Sequence, residues 1–249
     1  MSIYSSPLSG SSDVFYRKLR EAFPEPDSTV ASQRQARALP AAQATQIAIG
    51  LTDHQREGLY VPMLYAGWMG QNGKWERWQC DARAKGDKAV RVKGTNAGNS
   101  AGKMLTDSLA TCISISVISK QGGSIMTHFT PDVASILLGK TVDDPTGAKQ
   151  QQATNIKTAM AALLKKHLKD MGGANGVVVE AVAGPQSAAA TGEDSAKALA
   201  TLFGLKLDSW RKLNIPNPNF SGERSATIDM TTNPPTYYVE NTLVPITVP

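Results

Sequence analysis

Between Cys112 and Ser119 the chain alternates, with Ile113, Ile115 and Val117 interleaved by Ser114 and Ser116. A period of two predicts a strand with one face buried, because successive side chains leave a strand on opposite sides. "SIMTHFT", from Ser124, predicts a second strand. Between them Lys120-Gln121-Gly122-Gly123 offers a reversal in which two glycines can take positive φ without steric cost. The pair reads as an antiparallel hairpin that brings Cys112, at the mouth of one strand, near His128, toward the end of the other. Whether the two share a face depends on register, which the turn sequence alone leaves open.

Similar patterning continues on both sides. "LYVPMLYAGWM" and "KWERWQC" flank Asn72-Gly73, a strong hairpin signal, and concentrate Trp68, Trp75 and Trp78 in cross-strand packing with Cys80 beside them. "KAVRVKG" alternates as the next strand. Past His128 the period changes. Thr130 is placed to cap a short helix with Pro131 at its first position, ending at Gly139. Ile156, Met160, Leu163, Leu164 and Leu168 then form the apolar stripe of a longer helix, from about Ala148 to Met171. Lys165, Lys166 and Lys169 lie opposite that stripe and His167 at its boundary. "GVVVEAVAG" is a strand, and Thr191 with Asp194 forms a capping box for a helix that buries Leu199, Leu202 and Phe203. "LKLDSW", "ERSATIDM" and "TYYVENTLVPITV" are the closing strand candidates.

Toward the N-terminus, Ser12 can cap a short helix that Pro24 ends, and a polar, proline-interrupted arm follows. "QIAIGL", from Gln46, is the first strand-like run of the body. The expected organisation is an N-terminal helix and flexible arm over 1–45 and one domain over 46–249. Strands first, then helices mixed with strands, predict an α+β or layered α/β domain rather than regular βαβ winding.

Composition narrows the class. The 249 residues are 41% hydrophobic and 19% charged, ordinary for a folded chain long enough to bury a core without staples. Basic residues outnumber acidic ones 26 to 21, too even a balance to argue for a nucleic-acid partner. The basic cluster Arg83, Lys85, Lys88, Arg91 and Lys93 is interleaved with Asp81 and Asp87 and reads as a solvated strand edge. Two cysteines do not make a disulfide framework, and His54, His128 and His167 lack the spacing of a metal site, so neither a metal nor another cofactor is expected. No window suits a signal peptide or a membrane span. The expectation is a cytoplasmic protein, or one delivered into a host-cell cytosol without a cleavable signal, with no membrane partner. "GTNAGNSAGKML" lacks the spacing of a phosphate-binding loop and reads as a Gly/Asn-rich lead that shapes a cleft.

Cys112 and His128 are the candidate chemistry. Only a thiolate attacks efficiently, and an unperturbed thiol is mostly protonated at neutral pH. An adjacent imidazolium would stabilise the thiolate and later protonate a departing amine, a division of labour suited to acyl transfer from an amide. Ser108, Thr111 and Ser114, with the loop amides before Cys112, are candidate donors to a tetrahedral oxyanion. The bland alternative is a buried small hydrophobe beside a hydrogen-bonded histidine.

The run from Thr106 to Pro131 resembles the active-site segment of the chemotaxis-receptor glutamine deamidases. In that family a threonine precedes a strand-opening cysteine, and a Gly-containing turn leads to a histidine on the next strand. Here "LATC" stands where that family and the related cytotoxic necrotizing factor and lethal-factor toxins carry a glycine- and serine-containing tetrapeptide, and "GGSIMTHFTP" resembles the close of the motif. The tetrapeptide here contains no glycine, Ala110 and Thr111 occupying those places, and Pro131 follows His128 one residue sooner than in the chemotaxis family. The later order of helix, strand, helix and closing strands is similar too.

The resemblance implies a layered α/β/β sandwich of mixed sheets with flanking helices, and a cofactor-free protein-glutamine deamidase of the toxin or effector kind, whose partner is the protein carrying the target glutamine. It implies Cys112 as nucleophile, His128 as base and acid, and Thr106 orienting the imidazole, through its backbone carbonyl rather than its hydroxyl. Thr111, Ser108 and Asn99 are the expected substrate contacts. A thiol protease or another amidohydrolase, and a catalytically inactive binding protein of the same fold, remain the alternatives.

Overall fold

The computed structural model describes residues 58–96, 102–186, 189–213, 225–240 and 242–248. The chain divides after Arg56, and every described residue belongs to the second unit, Glu57–Pro249. The expected helix at Ser12, the arm, the strand at Gln46 and the boundary near residue 45 lie outside the described residues.

Two mixed sheets and three α-helices make up this unit among the described residues. In chain order the strands are β1 (Leu59–Tyr60), β2 (Tyr65–Met69), β3 (Lys74–Gln79), β4 (Val90–Thr95), β5 (Lys103–Thr106), β6 (Ile113–Ser119), β7 (Ser124–Phe129), β8 (Val177–Ala183), β9 (Ser209–Lys212), β10 (Ala226–Asp229), β11 (Thr236–Val239) and β12 (Thr242–Val244). The helices are α1 (Pro131–Leu137), α2 (Ala148–His167) and α3 (Glu193–Leu202). One sheet has seven strands in the order β4-β3-β2-β7-β6-β8-β9; the other has five, ordered β1-β5-β10-β11-β12. The fold is therefore mixed α+β. No described helix is long and apolar enough to cross a membrane.

The β6–β7 hairpin lies at the centre of the larger sheet. Its turn uses Gly122 and Gly123 at φ 65° and 103°, where a Cβ would meet backbone of Asp170 and Met69. On β6, Ile113, Ile115 and Val117 pack with Ile156, Met160 and Leu163 of α2 and with Ala196 and Leu199 of α3. Burying such a side chain contributes about 1.5–3 kcal/mol relative to leaving it in water. The opposite face of β6 departs from expectation. Ser114 and Ser116 are buried, because the five-stranded sheet covers the side that alternation assigned to solvent. Polar alternation marks the second face of a strand without revealing whether water or another sheet lies against it.

Several local expectations meet their counterparts. β2 and β3 pair as a hairpin through Gly73 at φ 75°. Thr130 Oγ1 accepts the Val133 N–H at 3.3 Å, with Pro131 opening α1. Others are corrected. The N-cap of α3 is Gly192 rather than Thr191, which closes the preceding 3-10 turn. Strand β9 starts only at Ser209, and the final run breaks into β11 and β12, with Glu240 at φ 50° between them. His167 is buried rather than at a boundary, stacked on Trp68 with ring centroids 3.8 Å apart. Arg91 is not merely part of a solvated edge: it reaches the buried Glu76 carboxylate at 2.6 Å.

Candidate active site

Cys112 immediately precedes β6, and Ser114 stands directly opposite His128 on β7. Alternation then places Cys112, Ser114 and His128 on one face, the face covered by the smaller sheet. Extending the same pairing by one residue makes Cys112 the diagonal neighbour of His128, a relation within reach of side chains. The register question left open by the turn is resolved in favour of a shared face.

A third residue arrives from the other sheet. Thr106 ends β5, is fully buried, and holds its Oγ1 2.9 Å from His128 Nδ1. The expected route through the Thr106 backbone carbonyl is thus replaced by one through the hydroxyl, because the β5 backbone is engaged in pairing with β10 while the side chain points between the sheets. Either atom can donate, but a proton on Nδ1 leaves Nε2 with the lone pair. Nε2 is itself buried and has no hydrogen-bond partner among the described residues.

The electrostatics overturn the expected ion pair. Burial pushes the Cys112 thiol up to about 11, with hydrogen bonding from the Thr111 side chain and backbone pulling the other way. Burial also pulls His128 down to about 3. Both groups rest neutral at physiological pH, since desolvation penalises whichever form is charged. The thiol instead contacts the Met63 thioether, Sγ to Sδ at 3.7 Å. Thiol and imidazole share a face without being hydrogen-bonded to each other.

The loop before Cys112 is held from behind. The Gly184 N–H donates to the Cys112 carbonyl at 2.9 Å and the Gln186 N–H to the Ala110 carbonyl at 3.0 Å. Gly184 is required there, since a Cβ would collide with the Leu109 and Ala110 carbonyl oxygens. Within the loop the Ala110 N–H bonds the Ser108 carbonyl at 2.8 Å, with Ser108 at φ 59°. At its start Tyr60 donates to Asp107 at 2.6 Å.

Of the expected substrate contacts, Ser108 and Thr111 are exposed on this loop beside the thiol, and Asn99 lies outside the described residues. Ser114, considered as an oxyanion donor, is sealed between the sheets. Sequence reasoning missed Met63, Gly184 and Tyr60. Only Gly184 carried a signal, as a Gly-Pro step ending a strand. No group of metal-ligating side chains occurs among the described residues. No protein-family model matches the chain, and no curated protein sequence matches it.

Proposed function

We propose that this protein is a cysteine-dependent deamidase that converts a glutamine of a partner protein to glutamate, on an α/β/β framework like that of the chemotaxis-receptor and necrotizing-factor deamidases. The observation that carries the reading is the buried Thr106–His128 hydrogen bond, which leaves Nε2 unpartnered on the face His128 shares with Cys112.

In this mechanism Nδ1–H donates to Thr106 Oγ1, so Nε2 is the base. An incoming carboxamide displaces Met63 from the thiol, and Cys112 Sγ turns toward Nε2. Nε2 takes the thiol proton as sulfur attacks the carboxamide carbon, which suits two groups that rest neutral better than a preformed thiolate would. The oxyanion faces Thr111, whose hydroxyl and amide already favour negative charge at sulfur. The imidazolium gives its proton to the leaving nitrogen, ammonia departs, and a thioester remains. Water, deprotonated by Nε2, then releases glutamate and restores the thiol.

A thiol protease would use the same groups, and is distinguished by cleavage of the target backbone. The inactive binding-protein reading draws on the raised thiol and its Met63 cover. Incubation with candidate target proteins decides among them. Ammonia release, with the mass change of an amide-to-acid conversion and no backbone cleavage, supports deamidation. Loss of the signal in Cys112→Ser and His128→Ala is required, and persistence in either variant rejects the assignment.

A further inference from the structure

Among the described residues, nine of the ten buried side-chain polar atoms without a hydrogen-bond partner, all but His167 Nε2, belong to residues whose position in the alternation turns them toward the space between the sheets. Buried hydroxyls, carboxylates and ring nitrogens rarely go unpaired, and ordered water is the usual partner where protein supplies none. On β6 and β8 the opposite, helix-facing side is apolar: Ile113, Ile115, Val117, Val179 and Ala181. The contrast lies within single strands, so it reflects the face rather than the region.

Six of these residues form a connected series. His128 stands opposite Ser114, Ser116 follows on the same face of β6, and Ser116 stands opposite Glu180 on β8. Tyr237, from β11 of the other sheet, brings its phenol into interaction with Ser116, Glu180 and Arg211. Arg211 Nε lies 3.6 Å from Glu180 Oε2, too far for a direct bond, and Arg211 belongs to β9 at the edge of the larger sheet, with its side chain 39% exposed. Ser114, Ser116, Tyr237 and Glu180 are each at least nine-tenths buried.

We propose that this series lines a file of ordered water running from the β9 edge at Arg211 to His128 Nε2, and that the file supplies the water that hydrolyses the thioester. The inference rests on the deamidase reading above. Its chemical need follows from the substrate class: a docked protein covers the loop face of Cys112, so the second reactant must reach the imidazole from behind. The water adds its oxygen to the thioester carbon and its proton to Nε2; the sulfur leaves with that proton.

Two measurements test it. A crystal structure of the full chain is expected to show ordered water bridging Ser114, Ser116, Tyr237 and Glu180; a dry seam overturns the proposal whatever the protein's activity. With an identified target, Ser116→Val is expected to keep the first-turnover burst of ammonia, slow steady-state release by at least about tenfold, and accumulate the Cys112 thioester adduct by intact mass. Tyr237→Phe, which removes one hydroxyl and keeps the ring, is expected to shift the same ratio and stands in if Ser116→Val does not fold. Equal burst and steady-state rates in wild type and both folded variants overturn the file while leaving the deamidase reading intact. Absence of burst, adduct and turnover in the wild type rejects the deamidase reading itself, and the seam is then judged by its density alone.

Discussion

At the scale of single residues, the site depends on which nitrogen of one imidazole carries a proton. Thr106 Oγ1 meets Nδ1, and Nε2 has no hydrogen-bond partner among the described residues. Thr106→Val keeps the shape but removes the hydroxyl, and is expected to lower the turnover rate by about a hundredfold with little change in KM, while Thr106→Ser restores most of it. Cys112 should be a sluggish thiol in the free protein. Its reaction with iodoacetamide is expected to rise with pH through about 11 rather than near the ordinary thiol value, with buried Cys80, its thiol pushed higher still, as the slower internal control. Met63 covers the sulfur, so Met63→Ala is expected to speed that alkylation. A neutral-pH rate typical of a free thiol in the wild type would contradict the geometry.

At the scale of elements, the β6–β7 hairpin, the Asn72-Gly73 turn and the Thr130-Pro131 helix start were legible because each depends on neighbours in sequence: alternation, a glycine with positive φ, a capping hydroxyl. What was not legible came from contacts between distant elements. Ser114 and Glu180 are buried only because the five-stranded sheet lies over them, and the Thr106 hydroxyl meets His128 only because β5 belongs to that other sheet. The basic cluster does lie along the exposed edge strand β4, but the reach of Arg91 to a buried carboxylate was not legible for the same reason. Glu76 on β3 is 2% exposed and is met by Arg91 of β4 and Lys166 of α2, each at 2.6 Å, with Trp78 Nε1 donating at 3.0 Å. Burial alone would raise its carboxyl; the neighbouring His167, Arg91, Lys166 and Trp78 overcome that and hold it well below the usual carboxylate range. Glu76→Ala removes the buried acceptor while Arg91 and Lys166, 36% and 46% exposed, turn to water, and is expected to cost about 1–2 kcal/mol in denaturant unfolding. An unchanged unfolding midpoint would show that the cluster contributes nothing. The loop carrying Cys112 is an element of the same kind: Gly184→Val is expected to displace it and abolish activity, with β8 itself still folded by circular dichroism.

At the scale of the whole unit, the buried histidine links the site to stability. His128 has its folded value lowered to about 3 by burial, below its ordinary 6.5, so it favours the folded state fully above pH 6.5. That contribution is lost as pH falls from 6.5 toward 3, because the unfolded chain takes up a proton that the folded one refuses. Glu76, with its lowered value, adds a loss in the acid range below its ordinary 4.5. Resistance to thermal unfolding is therefore expected to decline steadily below pH 6.5, and His128→Gln to flatten the upper part of that decline. The arrangement that costs acid stability is the one that keeps a neutral base beside a thiol, between two sheets each contributing a member of the site. The most direct measurement of that arrangement is the 15N spectrum of the His128 ring followed with pH. The account predicts a neutral ring at pH 7 with the proton on Nδ1 and the lone pair on Nε2, persisting below pH 5. A proton on Nε2 at neutral pH, or an ordinary titration near 6.5, would contradict it.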